Sequence, residues 1–280
     1  MGPLAAALAL TAAALHASWN AMVKANPDRF AVLAVISGFG VIGGPILILI
    51  GGHPSAAAIP FLFASFVVHI GYNAFLLSSY RVADLSHAYP LARGSAPLLA
   101  TLGGVMLAGD QVSLLSMVGI TIVCGGIVLI SMQFNVRELG WSGIGWPLAT
   151  GLMISSYTVI DGMGVRTSGN ALGYIGWLFL IDGVPFMLWC VLRERRVGVR
   201  RLVNVWKVGL LGGFMSMAAY GLVIFAMSFA AIGPVAALRE TGVILAAVIG
   251  AFVLHEPFGG RRIMLAVIVV AGSALLYLGR

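Results

Sequence analysis

Two arginines stand inside long apolar runs of this chain, and the chemistry begins with them. Arg93 lies in YPLARGSAP, residues 89–97, between Pro90 and Pro97, and Arg239 lies in ALRETGV with Glu240 beside it. An arginine at the centre of a spanning helix costs about 2.5–3.5 kcal/mol on insertion scales, so such a residue faces a bundle interior or water. Pro97 withholds the N–H that the Arg93 carbonyl would accept, and Pro90 does the same for Ser86, which loosens the helix on both sides of the charge. Both guanidinium groups are read as attracting a carboxylate, phosphonate or phosphate. Adjacent helical residues point about 100° apart. Arg239 and Glu240 are therefore not expected to share a partner, and Glu240 is expected to face a neighbouring helix as a neutralising or proton-carrying group.

Polar and aromatic residues recur around these charges at helical spacing. His16, Trp19, Asn20 and Lys24 fall at i, i+3, i+4 and i+8, on one stripe of a helix. His69, Tyr72 and Asn73 repeat the device, Tyr89 precedes Arg93 by one turn, and Tyr157 and Asp161 are one turn apart. In the expected pathway Arg93, Arg239 and His16 meet the solute. Trp19, Tyr72, Tyr157 and Tyr220 form walls, Asn20 and Asn73 orient, and Tyr89 is a further substrate-binding candidate. Asp161 is the first choice for a coupling proton and Glu240 the second. Mutual pairing of two arginines with Asp161, Asp182 and Glu240 would account for much of this inventory without a ligand. The clustering of aromatic residues with hydrogen-bonding groups is what packing alone does not require.

The elements that must position these residues follow from composition. Of 280 residues, 60% are hydrophobic and 9% charged, with a mean hydropathy of +1.04, which places the chain among polytopic membrane proteins. A spanning helix needs about 20 apolar residues. Ten segments qualify, near 4–24, 30–50, 58–80, 84–108, 112–132, 144–164, 171–192, 206–229, 232–254 and 260–279. A membrane barrel would show alternating strands of about 10 residues instead. The opening run is read as the first span rather than a signal peptide, because no Lys or Arg precedes it. Cys124 and Cys190 both fall in predicted spans, which suggests neither a disulfide framework nor a thiolate metal site. No His/carboxylate metal spacing, nucleophile elbow or phosphate loop is present, so no metal or cofactor is expected.

The net charge of +7 lies in short loops and reports topology rather than nucleic-acid binding. Twelve of the 16 Lys and Arg residues fall on one face, two (Arg166 and Arg280) on the other, and two inside spans. The positive-inside rule makes the twelve-residue face cytoplasmic and puts both termini outside.

Sliding the chain by 146 residues lays Arg93 on Arg239, Ala100 on Ala246, Gly104 on Gly250, Asp110 on Glu256 and Gly126 on Gly272. At slightly different offsets Tyr72 falls on Tyr220, Trp19 on Tyr157, and Gly43 and Pro45 on Gly183 and Pro185. Each half then holds five spans, residues 1–133 and 144–280, joined through QFNVRELGWSG at 133–143. Five is odd, so the second half enters the membrane in the opposite sense. The fold expected is an all-α membrane protein of ten transmembrane helices in two inverted five-helix repeats, an arrangement that puts a solute site near the midplane. Ala100 with Gly104 and Ala246 with Gly250 are expected to allow close helix contact. Asp110 and Glu256 are read as boundary residues.

Ten spans in two such repeats, with an acidic residue closing the fourth and ninth and glycines in the fifth and tenth, resemble the EamA-type branch of the drug/metabolite transporter superfamily. HASWNAMVK, YPLARGSAP, YTVIDGMGVR and AALRETGV are similar to a bacterial subgroup associated with phosphonate utilisation. The resemblance implies a proton- or gradient-driven carrier in the bacterial inner membrane, often an exporter of amino acids or related metabolites. It implies a central cavity between spans 1, 3, 4, 6, 8 and 9, and both termini in the cytoplasm, against the loop charges. The expected partners are a small-molecule substrate and the lipid bilayer, for a monomer or homodimer. The alternative from another class is a membrane-embedded enzyme acting on a lipid-linked substrate, with Asp161 and a histidine as acid and base. The inverted halves and the lack of paired catalytic groups in one segment favour transport.

Overall fold

The computed structural model describes residues 1–82, 85–131, 136–252 and 260–279, and every regular element among them is helical. In chain order these are α1 (Pro3–Ala25), α2 (Arg29–Gly38), α3 (Gly40–Gly51), a 3-10 turn (Ala56–Ala58), α4 (Ile59–Val82), α5 (Leu85–Ala108) and α6 (Leu114–Ser131). There follow α7 (Val136–Thr167), α8 (Ala171–Asn204), α9 (Trp206–Met227), α10 (Ile232–Arg239), α11 (Gly242–Phe252) and α12 (Gly260–Leu278). Among the described residues, six helical stretches are long and apolar enough to cross a membrane: Pro3–Ala25, Arg29–Gly51, Ala56–Val82, His87–Ala108, Gly140–Thr167 and Trp206–Met227. Leu114–Leu129, Ala171–Pro185 and Ile263–Leu278 are shorter apolar helices. The chain is a multi-pass membrane protein. Large apolar side chains such as Leu49, Phe63, Met106 and Val267 are exposed, as expected of a surface that meets lipid tails.

The helices pack α6 on α12, α3 on α8, α4 and α5 on α7, and α1 on α9, α10 and α11. Glycine makes the closest of these approaches possible. A Cβ on Gly119 would overlap the α12 backbone near Gly272, and one on Gly44 would press on the Gly176 carbonyl. With little hydrophobic drive between helices in lipid, such contacts supply the dispersion energy that holds the bundle. Ala100 is buried and Gly104 backs onto Ile232, so this small pair works as expected against α10. In the counterpart pair, Ala246 is exposed.

Three local expectations change. Pro90 and Pro97 leave α5 continuous, whereas the chain does break between α10 and α11. The expected connection at 133–143 is helical from Val136, kinked at Gly140 with φ 61° and ψ −175°. Asp110 is more than a boundary residue. Its Oδ1 accepts Arg166 Nη1 at 2.7 Å, and its Oδ2 accepts the Ile232 N–H at 2.7 Å, which caps α10. Arg166 also donates to the carbonyls of Met227 at 2.8 Å and Ala230 at 2.7 Å. One residue pair thus fastens the α5–α6 connection, the end of α7, the end of α9 and the start of α10. Its repeat counterpart Glu256 lies outside the described residues, as does the side chain of Cys190.

At the other end of the bundle Asp28 caps α2 through the Ala31 N–H and accepts both Nε and Nη2 of Arg201 at 2.9 Å. The Arg201 guanidinium, with the Ala31 amide, holds the Asp28 carboxyl below its ordinary value of 3.8. A depressed folded-state value contributes stability above the unfolded value that is lost as pH falls through the folded one. Acid unfolding of wild type should therefore begin at higher pH than that of a variant in which Asp28→Asn has removed this proton linkage, a comparison that thermal melts below about pH 4 would make.

Candidate functional site

The arginines are brought together by the break in the ninth apolar segment. Gly233 lies so close to Thr101 that a Cβ there would overlap it, and this seats α10 on α5. The helix stops at Arg239, where Thr241 Oγ1 takes up the Leu238 carbonyl at 2.7 Å, and Gly242 follows against the Ala13 backbone of α1. At the break, Glu240 turns back between the two cations. Its Oε2 lies 2.9 Å from Arg93 Nε, and its Oε1 lies 2.9 Å from Arg239 Nη2 and 3.2 Å from Arg239 Nε. Glu240 thus neutralises an arginine of a neighbouring helix, as expected, and in addition pairs with Arg239 beside it in the chain.

The Glu240 side chain is fully buried, and those of Arg93 and Arg239 are 10% and 6% exposed. Two guanidinium groups around one carboxylate leave a formal excess of one positive charge in a low-dielectric interior. Breaking such a buried pair from one side costs roughly 3–5 kcal/mol, because the remaining charge is left uncompensated. Arg93 has further partners: Nη2 is 3.4 Å from His16 Nε2, and its Cζ stands 5.7 Å from the centroid of the Tyr89 ring. Trp19 meets His16 edge-on at 5.2 Å, and its indole N–H is buried with no hydrogen-bond partner.

A second polar cluster gathers around Tyr157 and Asp161. Asp161 is fully buried and accepts the Tyr220 hydroxyl at 2.5 Å and the Tyr174 hydroxyl at 3.1 Å. His69 stacks on Tyr157 with centroids 4.3 Å apart and sits 3.7 Å from Asp182 Oδ2. The other oxygen of Asp182 is buried without a hydrogen-bond partner. Tyr72 and Tyr220 meet Tyr157 edge-on at 5.8 and 5.9 Å.

Of the residues expected in the pathway, His16, Trp19, Tyr89, Arg93, Arg239 and Glu240 form the first cluster, and Tyr72, Tyr157, Asp161 and Tyr220 the second. Asn20 and Asn73 each donate to the carbonyl one turn earlier on their own helix, at 2.7 and 2.9 Å, so neither amide reaches into a cluster. Tyr174 was not among the expected residues. It packs on Gly164, three residues after Asp161, where a Cβ would overlap the Tyr174 hydroxyl. Gly164→Ala is accordingly expected to cost about 1–3 kcal/mol by overpacking and to free one oxygen of Asp161. The thermal midpoint of the purified variant checks this.

Residues 141–278 match the model of the EamA-like transporter family. No curated protein matches the chain. A crystal structure of a protein 18% identical to it superposes with a TM-score of 0.78 over 99% of this chain and 98% of that one, which extends the likeness in fold to essentially the whole length. Residues 141–278 of this helical, multi-pass chain are thus similar to the EamA-like transporter family, a family of membrane transporters of the drug/metabolite type.

Proposed function

We propose that this protein is a secondary active transporter of a small anionic or zwitterionic metabolite, an amino acid or organophosphonate in size and charge, working by alternating access in the bacterial inner membrane. The observation that carries this reading is the buried cluster of Arg93, Glu240 and Arg239, with its excess positive charge and its aromatic walls. An anionic group entering there would meet the guanidinium groups of two helices and the unpartnered indole N–H of Trp19. A zwitterion has in addition the unpartnered oxygen of Asp182 to offer its ammonium group.

Two inverted five-helix repeats, 1–133 and 144–280, are part of the proposal. What supports them is the pairing of the helices. Exchange α1 with α7, α2–α3 with α8, α4 with α9, α5 with α10–α11, and α6 with α12. The α1–α9 contact then becomes α7–α4, α5–α7 becomes α10–α11 against α1, and α3–α8 and α6–α12 map onto themselves, all of them contacts that occur. A pathway between such halves rocks open to either side while Arg93 and Arg239 stay at the middle.

The test is thermal stability of the purified protein against anionic, zwitterionic and cationic metabolites, with Arg93→Gln in parallel. A ligand at about 100 times its dissociation constant stabilises by about 2.7 kcal/mol. Stabilisation by one class of anion or zwitterion, lost in the variant, is the expected result. Stabilisation by cations alone, or by anions equally in both proteins, would refute the reading.

A further inference from the structure

The carboxylate of Glu240 already sits where an anionic solute would bind. It engages Arg93 through one oxygen and Arg239 through the other, each at 2.9 Å, and its side chain has no exposed surface. A carboxylate or phosphonate arriving at those guanidinium groups must displace it. Glu240 then has two fates: to remain a buried anion stripped of its cations, beside the incoming anion, or to take a proton. The first leaves an uncompensated charge in a dry interior, which is the expensive outcome. From this geometry we infer that Glu240 is a built-in competitor for the substrate, and that one proton from the aqueous side binds to its carboxylate as one anion binds to the arginines. The inference rests on the anion-site reading above and adds its coupling.

The groups facing Glu240 fit this role. Arg93 comes from α5, Arg239 from α10, His16 from α1 against Arg93, and Tyr157 of α7 and Cys124 of α6 feel its charge. Among these described neighbours the two guanidinium groups are its ion-pair partners, so moving them to the solute removes its compensation. Binding of anion and proton is then mutually favourable by linkage. They travel together and in the same direction. A proton gradient directed into the cell would draw the anion inward, opposite to the export that the family resemblance suggests.

The experiment uses sulfate and methanesulfonate, whose charge does not change over the range, and reads thermal stabilisation of the full-length protein at about pH 5.5 and about pH 8. In wild type, affinity should rise towards acid by up to about tenfold per pH unit, the slope for one linked proton. Glu240→Gln, a neutral side chain of the same shape, should bind more tightly than wild type at the higher pH and lose the pH dependence. His16→Gln should retain it. Equal stabilisation at both pH values in wild type overturns the inference, as does a pH dependence that disappears with His16 instead. If Glu240→Gln does not yield folded protein, the wild-type and His16→Gln series decide alone. Stabilisation that needs Arg93 but ignores pH leaves the anion site standing and removes only the coupling. No stabilisation by any anion in wild type or Glu240→Gln at either pH removes both.

Discussion

Arg93→Gln is expected to abolish anion-induced stabilisation and lower solute affinity by at least about 30-fold, while the protein still folds. The size follows from removing one of the two guanidinium groups that would meet the anion, since truncating one member of a buried charge pair costs about 2–5 kcal/mol in binding. Survival of the fold follows from the shape of the cluster. Glu240 keeps Arg239 through Oε1 at 2.9 and 3.2 Å, so its charge is not orphaned when Arg93 goes. The double variant Arg93→Gln, Arg239→Gln leaves a bare buried carboxylate, and its loss of thermal stability should exceed the sum of the two single losses. Such non-additivity is the signature of residues that share one partner. Melts of the four proteins in one detergent, with and without the best-stabilising solute, supply both numbers.

A large effect on stability should also come from the other arginine knot. Arg166→Met removes four things at once: the pair with Asp110 at 2.7 Å, the support of the α10 cap, and the bonds to the carbonyls of Met227 and Ala230. The expected cost is about 3 kcal/mol, the low end of the range for breaking a buried pair, because Arg166 is 25% exposed and water can partly replace it. Asp110→Asn should cost less, since an amide oxygen still accepts the Ile232 N–H. If the two variants melt together within error, the carbonyl bonds of Arg166 carry little of the energy.

Much of this organisation was legible from residue types. Long apolar runs placed some helices to within a few residues, as for α9 at Trp206–Met227 against an expected 206–229, whereas α7 begins at Val136 rather than near 144 and α8 runs to Asn204 rather than near 192. The offset of 146 paired Arg93 with Arg239, and the structure brings both onto one carboxylate. The aromatic residues Tyr72, Tyr157 and Tyr220 meet as rings in edge contact. What stayed hidden depended on where the chain leaves helical geometry, or on partners distant in sequence. The pairing of Glu240 with its own neighbour Arg239 is not expected of adjacent residues in one helix, and it arises where the helix stops at Arg239. Asp110 looked like a local boundary because its partners are 56 and 122 residues away. Tyr174 sits in an apolar run at the start of α8, and only the fold brings its hydroxyl to Asp161. Asn20 and Asn73 had the right spacing, but their short amides bond their own helices, which no count of residue types reveals.

The central claim is that an anionic group passes through the site made by Arg93 and Arg239. Counterflow in proteoliposomes tests it most directly, with the radiolabelled form of the solute that best stabilises the wild type exchanging across the bilayer through wild type, Arg93→Gln and Arg239→Gln. Exchange by wild type that falls to the level of empty liposomes in both variants is the predicted result. Normal exchange in both variants would contradict the claim.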